Sequence, residues 1–590
     1  MTTAIKEIFQ PYEVDGRSTM ILTGRSIFDL ECREDGSISS LVKLMAEYAK
    51  TLHLVMVRYS LAHGLNVPYD MYEKKDGETI KNALISNGVT NMKCSSGNCQ
   101  ASQEFVDMLR SISRIATSSN SNYMWKDGER MKFLFLFEFS SDIMPNATNT
   151  NQLIARELIY QLAHSTSFLN NGNLFVLADV VEGKIDNQIQ SLVYNKFLCY
   201  PTYEEKLLFV SGLHSKYPNA QYAVGLDDNL IANLSSSTPN RGLDLVFRAS
   251  NISGHPIEIK GLIEQKSKDI QRLSEDTITM LDTARVKDVE LKGENIRIPQ
   301  EFLREQANGL RSGDTTIYPN ILLIGAPGTA KTDLALRLGL ESNVPTFQLN
   351  SPKAGIVGET ERRAALQSRI LSSCRPCLAF IDEITEAMPM QRTQNLDSGA
   401  SDAVMQALLN TLSDNTREGK SMLIATTNCG YKLGSAMRDR FVIVPVIMPS
   451  VEDMPAIICS IAKQVSGNDF NPEDVEIKEA ARLFYSKHLM PRRIRSALKL
   501  ACTRDRLTPQ SVREAAMDAN PLDEVSWLSA VYADLCAISL TVSKRLLPWY
   551  GHEDVYPFPD YIKSILDENC QINPVKINNE IKRLEPYVNV

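Results

Sequence analysis

The chain has 590 residues, room for roughly three or four domains of about 150 residues each. Hydrophobic residues make up 43% and charged residues 23%, the balance of a globular chain that buries ample cores, not of a disordered or fibrous one. A net charge of −8 excludes a global drive toward nucleic acid or an anionic membrane and leaves only a local basic groove open.

No apolar run approaches the roughly 20 residues of a membrane helix, and the opening MTTAIKEIFQ lacks the pattern of a signal peptide. The eleven cysteines are scattered, as expected of free thiols in a reducing cytoplasm. Cys94 and Cys99 form the nearest thing to a metal-ligand pair, but no second pair sits close by to complete a zinc site.

Residues 1–255 alternate strand-like and helix-like segments. Met20–Thr23, Leu54–Val57, Met131–Phe137, Leu174–Leu177 and Leu207–Val210 are candidate strands. ISSLVKLMAEYAKTL, ASQEFVDMLRSISRIAT and NQLIARELIYQLAHS are amphipathic helices between them, so βα units around a parallel sheet are expected. TGRSIFDL follows the first strand without the Gly-Lys-Ser/Thr that holds phosphates, and FLFLFEFSSD carries Glu138 within its apolar run where Asp-Glu would close an acidic strand. Two readings stand: a nucleotide-hydrolase-like sheet without a working site, or an unrelated α/β domain.

Residues 256–296 read as a charged helical linker without strand signals. A second α/β domain is expected over 297–450. All-helical patterns follow at 451–520 (VEDMPAIICSIAKQV, NPEDVEIKEAARLFYS, PRRIRSALKLACTRD, TPQSVREAAMDA). A helical extension at 521–590 contains the long apolar stretch SWLSAVYADLCAISLTVSKRLL.

The chemistry gathers in the second domain. Ile321–Ile324 is a buried-strand run, GAPGTAKT (Gly325, Ala326, Pro327, Gly328, Thr329, Ala330, Lys331, Thr332) is a glycine-rich turn, and Asp333 opens an amphipathic helix. Backbone N–H groups of such a turn and the helix N-terminus form an anion cradle. Lys331 would reach the β- and γ-phosphates of ATP, and the Thr332 hydroxyl would bind magnesium. Alanine at 330 replaces the glycine of the pattern G-x-x-x-x-G-K-[ST] and is tolerated if the position has ordinary helical dihedrals.

Further on, CLAFIDE ends a hydrophobic strand in Asp382, able to hold the magnesium through water, and Glu383, able to orient the attacking water. SMLIATTN ends in Asn428, a donor and acceptor for the γ-phosphate or the water. RDRF supplies Arg440, with Arg438 assisting, as a finger completing a neighbouring subunit's site; structural ion pairing is the alternative for either. Arg492 and Arg493 begin a helix from which one side chain can swing toward the γ-phosphate.

GAPGTAKT, GIVGETERR, LAFIDE, IATTN, RDRF and PRR, in that order over about 200 residues, resemble an AAA+ ATPase module. The resemblance implies a P-loop α/β ATPase core with a helical lid, sites at subunit interfaces and a homo-oligomeric, commonly hexameric, ring. It makes Lys331 and Thr332 the Walker A pair, Asp382 and Glu383 the Walker B acids, Asn428 sensor one, Arg440 the finger and Arg492 sensor two. GIVGETERR is similar to the pore-loop segment of the narrower AAA subgroup. It is closer still to the plastid and cyanobacterial Ycf-type AAA ATPases, which also carry a degenerate N-terminal ATPase-like domain and a helical linker. The Gly-Thr-Ala-Lys variant is similar to that of the minichromosome-maintenance helicases. The loop departs from protein-threading rings in having Ile356-Val357 where those place an aromatic residue, and RDRF is followed by Val442 in place of the family's Asp. Three functions remain open: remodelling of a protein client, a nucleotide-gated scaffold with slow hydrolysis, and a nucleic-acid motor.

Overall fold

A computed structural model describes residues 2–588 apart from 61, 63, 87–102, 118–123, 125–127, 147–148, 181–184, 237, 275–276, 282–289, 343, 351–362, 365, 369, 372–375, 388–399 and 503–506. The Cys94/Cys99 pair and the Ile356-Val357 loop lie outside the described residues. The chain divides into two compact units, Met1–Leu262 and Ile263–Val590. Among the described residues no helix is long and apolar enough to cross a membrane.

The first unit holds a sheet of β1 (Thr19–Gly24), β2 (Leu54–Ser60), β3 (Gly64–Asn66), β4 (Lys132–Glu138), β5 (Leu174–Ala178) and β6 (Tyr194–Leu198). β1 and β5 are buried at every position, as strands covered by helices on both faces must be. The order is β3-β2-β4-β5-β1-β6, parallel except for β3, which pairs antiparallel on the β2 edge. The apolar run Leu207–Val210, expected as a strand, lies instead in the helix Tyr203–Lys216. Thr202 and Glu205 form a reciprocal capping box there, and that start signal outweighs a short apolar run. The fifth parallel strand is the less apolar YNKFL of β6, an edge strand with only one buried residue, Leu198. Glu138 closes β4 and does not interrupt it.

The second unit's sheet contains β7 (Ile278–Met280), β8 (Asn320–Ile324), β9 (Thr346–Leu349), β10 (Cys377–Ile381), β11 (Ser421–Thr427) and β12 (Val442–Pro445). The order is β12-β8-β11-β10-β9-β7, again parallel except for the last strand. Strand β7 corrects the expectation that residues 256–296 are helical throughout. Its three residues are too few for a period-2 pattern and are ordered by antiparallel pairing with β9. If each unit's five parallel strands are counted in chain order, both sheets run second, third, fourth, first, fifth.

Helix α1 (Lys331–Glu341) follows β8 directly. After β12 come α2 (Met454–Ser466), α3 (Val475–Ser486), α4 (Pro491–Cys502) and α5 (Pro509–Asp518) around a core that includes Ile458, Ile477, Phe484, Ile494 and Val512. Helix α6 (Glu524–Leu540) is capped by the Asp523 carboxylate, which accepts from the Ser526 N–H. It stops at Leu540, earlier than the apolar pattern suggested. Together with α7 (Pro574–Leu584) it builds a separate cluster containing Val531, Leu535, Trp549 and Ile577, and that cluster includes Ala326 of the glycine-rich turn.

Candidate nucleotide site

Strands β8, β10 and β11 are neighbours in one parallel sheet, and their C-terminal ends carry GAPGTAKT, Asp382-Glu383 and Asn428 respectively. The turn after β8 depends on its glycines. A Cβ on Gly325 would lie 2.0 Å from the Val446 carbonyl oxygen, and Gly328 has φ +84°. Ala330 has φ +69° and ψ 20°, in the left-handed region. This corrects the expectation of helical dihedrals there. The position keeps the backbone a glycine would adopt freely and imposes it on an alanine, at a cost of roughly 1–2 kcal/mol.

Lys331 is buried, and its ammonium donates to Gly325 O at 2.9 Å, Ala326 O at 2.7 Å and Asn428 Oδ1 at 2.7 Å. Burial pulls its pKa down to about 8, against the raising effect of Asp534, Glu383 and Asp382. The Thr332 hydroxyl donates to Asp382 Oδ1 at 2.9 Å, and the same oxygen accepts from Thr426 Oγ1 at 2.8 Å. A hydroxyl and an exposed carboxylate side by side are the hard oxygen donors that magnesium prefers, so the pair fits that ion.

Glu383 has φ +46°, which places a strained residue directly at the strand end. Its Oε1 accepts from Thr385 Oγ1 and Thr427 Oγ1, both at 2.9 Å, and from the Asn428 N–H at 3.0 Å. Its Oε2 accepts from Asn428 Nδ2 at 2.8 Å. The Asn428 amide therefore turns its oxygen to the ammonium and its nitrogen to the carboxylate, linking Lys331 to Glu383. Thr385, Thr426 and Thr427 were not singled out in the sequence. None carries a motif: Thr426 and Thr427, at the end of β11, reach the acids through the pairing of β10 with β11, and Thr385 sits two residues beyond Glu383 in the short helix Ile384–Ala387.

The arginines fall in different places. Arg492, at the start of α4, has its Cβ 3.6 Å from the Cβ position of Gly328, so it stands beside the turn. Arg440 is exposed and donates to Ser413 Oγ at 2.7 Å and to Ala436 O. Arg438 is half-buried, and its charge acts on the Cys536 thiol of α6. Ala326 is fully buried and its N–H donates to Asp534 Oδ1 at 2.8 Å, so this residue shapes the turn from beneath. Thr329, Ala330 and Asp333 border a pocket whose other walls include Ile296, Ile457 and Ile461. Glu290, Lys292, Asn295, Gln464 and Arg495 line it as well, so the pocket beside the cradle is mixed in polarity, and no sequence motif marked it.

Residues 321–447 match the family model described as "ATPase family associated with various cellular activities (AAA)". The chain carries an AAA ATPase domain. It is 29% identical over 163 residues to the "ATPase family gene 2 protein" of Schizosaccharomyces pombe, covering 27% of this chain and 20% of that protein. It is 27% identical over 195 residues to the "Uncharacterized AAA domain-containing protein ycf46" of Guillardia theta, covering 32% and 38%. It is also 34% identical over 145 residues to the "ATP-dependent zinc metalloprotease FtsH 1" of Sorangium cellulosum, covering 24% and 22%. The matched region thus spans roughly a fifth to two fifths of these relatives' lengths. In the first unit, the turn after the equivalent strand β1 presents buried Arg25, whose guanidinium is held by Asp29 at 2.6 Å, by Glu31 and by Leu30 O.

Proposed function

We propose that the chain is a magnesium-dependent ATPase that works as a ring of like subunits, commonly six, to remodel a protein or protein assembly. The observation that carries the ATPase reading is the single hydrogen-bonded constellation of Lys331, Thr332, Asp382, Glu383 and Asn428 at three adjacent strand ends. Lys331 neutralises phosphate charge, and Thr332 with Asp382 would hold magnesium, which supplies charge neutralisation to the phosphates when bound. Glu383 orients the attacking water, and Asn428 links it to the phosphate lysine. With four donors on the Glu383 carboxylate, drawing the Asn428 side chain toward a γ-phosphate would free Oε2 for water and leave Oε1 held by the two threonine hydroxyls. This arrangement favours slow basal hydrolysis and supports the nucleotide-gated scaffold as the second reading.

Exposed Arg440, bonded only to its own surface in the contacts described above, suits a finger offered to a neighbouring subunit. The first unit is a silent relative of the same architecture, recruited for client recognition. Its strand order matches the second unit's, and its own carboxylates occupy the cation where a phosphate would sit. Phosphate release from ATP by the purified chain, followed with and without magnesium, tests the reading. No phosphate release at any protein concentration would overturn it.

A further inference from the structure

We infer that Asp534 is a positioning residue for the phosphate loop, so that nucleotide affinity depends on the C-terminal helices that deliver and hold it. The inference rests on the nucleotide-site reading above and extends it to residues outside the matched AAA region. Asp534 lies in the second half of α6 and is fully buried. Its Oδ1 accepts from the Ala326 N–H of the loop at 2.8 Å. Its Oδ2 accepts from the Met448 N–H at 2.8 Å and from the Tyr561 hydroxyl at 2.6 Å. One carboxylate thus ties together the loop, the chain leaving β12 and the C-terminal segment.

A buried carboxylate is costly unless its donors are in place, and apolar residues would fill such a site at lower cost. Three donors from three separate segments make Asp534 a geometric clamp on a loop that already runs through a left-handed alanine. Tyr561 is held in turn by edge-on packing against Trp527, and Ala326 is seated in the α6 cluster. The charge of Lys331 also acts on Asp534, so the clamp is coupled electrically as well as sterically to the phosphate lysine. Displacing α6 would therefore release the Ala326 end of the loop.

The test compares full-length wild type, Asp534→Asn and Asp534→Ala for binding of a non-hydrolysable ATP analogue with magnesium by calorimetry, and for kcat at saturating ATP. Asn keeps the shape but turns one acceptor into a donor, and loss of a charged hydrogen bond to the loop should weaken binding about ten-fold or more. The turnover at saturation should change far less, because Asp534 touches neither the Walker acids nor Asn428. A purely structural role would lower the active fraction, and hence kcat, with Kd unchanged. Leu310→Ala, a core truncation remote from the loop, should lower the unfolding midpoint and leave Kd as in wild type. Hydrogen exchange on the wild-type chain covers the case in which the Asp534 variants do not fold. The analogue should slow exchange across Glu524–Leu540 and around Tyr561. Unchanged exchange there, or wild-type affinity in folded Asp534→Asn, would overturn the inference. Failure of wild type to bind the analogue at all would overturn the nucleotide-site reading and the inference with it.

Discussion

Alanine 330 offers a test whose sign alone separates two backbones. At φ +69° an L-residue sits roughly 1–2 kcal/mol above glycine, so Ala330→Gly removes that strain. Glycine also gains conformational freedom in the unfolded chain, a loss of about 0.4–1 kcal/mol. The net effect is a stabilisation centred near ~0.8 kcal/mol, or about 1 °C in midpoint for a unit of roughly 300 residues. Had residue 330 been ordinary first-turn helix, the same substitution would cost about 1 kcal/mol and move the midpoint the other way. Differential scanning calorimetry of the full chain is the assay, read on the transition that ATP shifts upward, since ligand binding marks the unit that holds the site. A fall of about 1 °C or more in Ala330→Gly would refute the left-handed assignment. It would also refute the argument that this alanine copies a glycine's backbone.

Lys331→Ala should weaken ATP binding about 100-fold or more in calorimetry, because two or more charge-assisted contacts to phosphate go. Wild-type affinity would remove the phosphate-loop assignment. Glu383→Gln should retain ATP while phosphate release drops by about 10²–10⁴, the usual worth of a positioned base. Normal turnover would assign that work to another residue. Because burial holds the Lys331 pKa near about 8 and a bound phosphate favours the ammonium, ATP affinity should fall as pH rises past 8, by up to about ten-fold per unit. A flat profile between pH 7 and 9.5 would contradict the burial argument. Arg440→Ala should lower kcat by about 10³ without loss of ATP binding, and mixing it with Glu383→Gln subunits should restore turnover if sites are shared. No rescue at any ratio would exclude a finger acting between subunits.

Local chemistry made much of this site legible in the linear chain. A buried apolar strand followed by a glycine-rich turn and an amphipathic helix is encoded within a dozen residues, so GAPGTAKT, IDE and TTN could be placed on strand ends. Four features depended on distant partners. The left-handed φ at Ala330 belongs to a turn whose Gly325, Gly328 and Ala326 pack against Val446, Met490 and Asp534, none of which lies near it in sequence. Strand β7 and the identity of the first unit's fifth strand were decided by edge pairing, since short or half-exposed strands carry little periodicity. Thr426 and Thr427, which bind Asp382 and Glu383, acquire their role only from the β10–β11 register. The chain by itself determined which chemistry is available, because phosphate lysine, magnesium oxygens and water-orienting acid are local motifs. Tertiary structure alone decided what holds them, because a buried carboxylate in a helix 208 residues downstream meets the loop only through long-range packing.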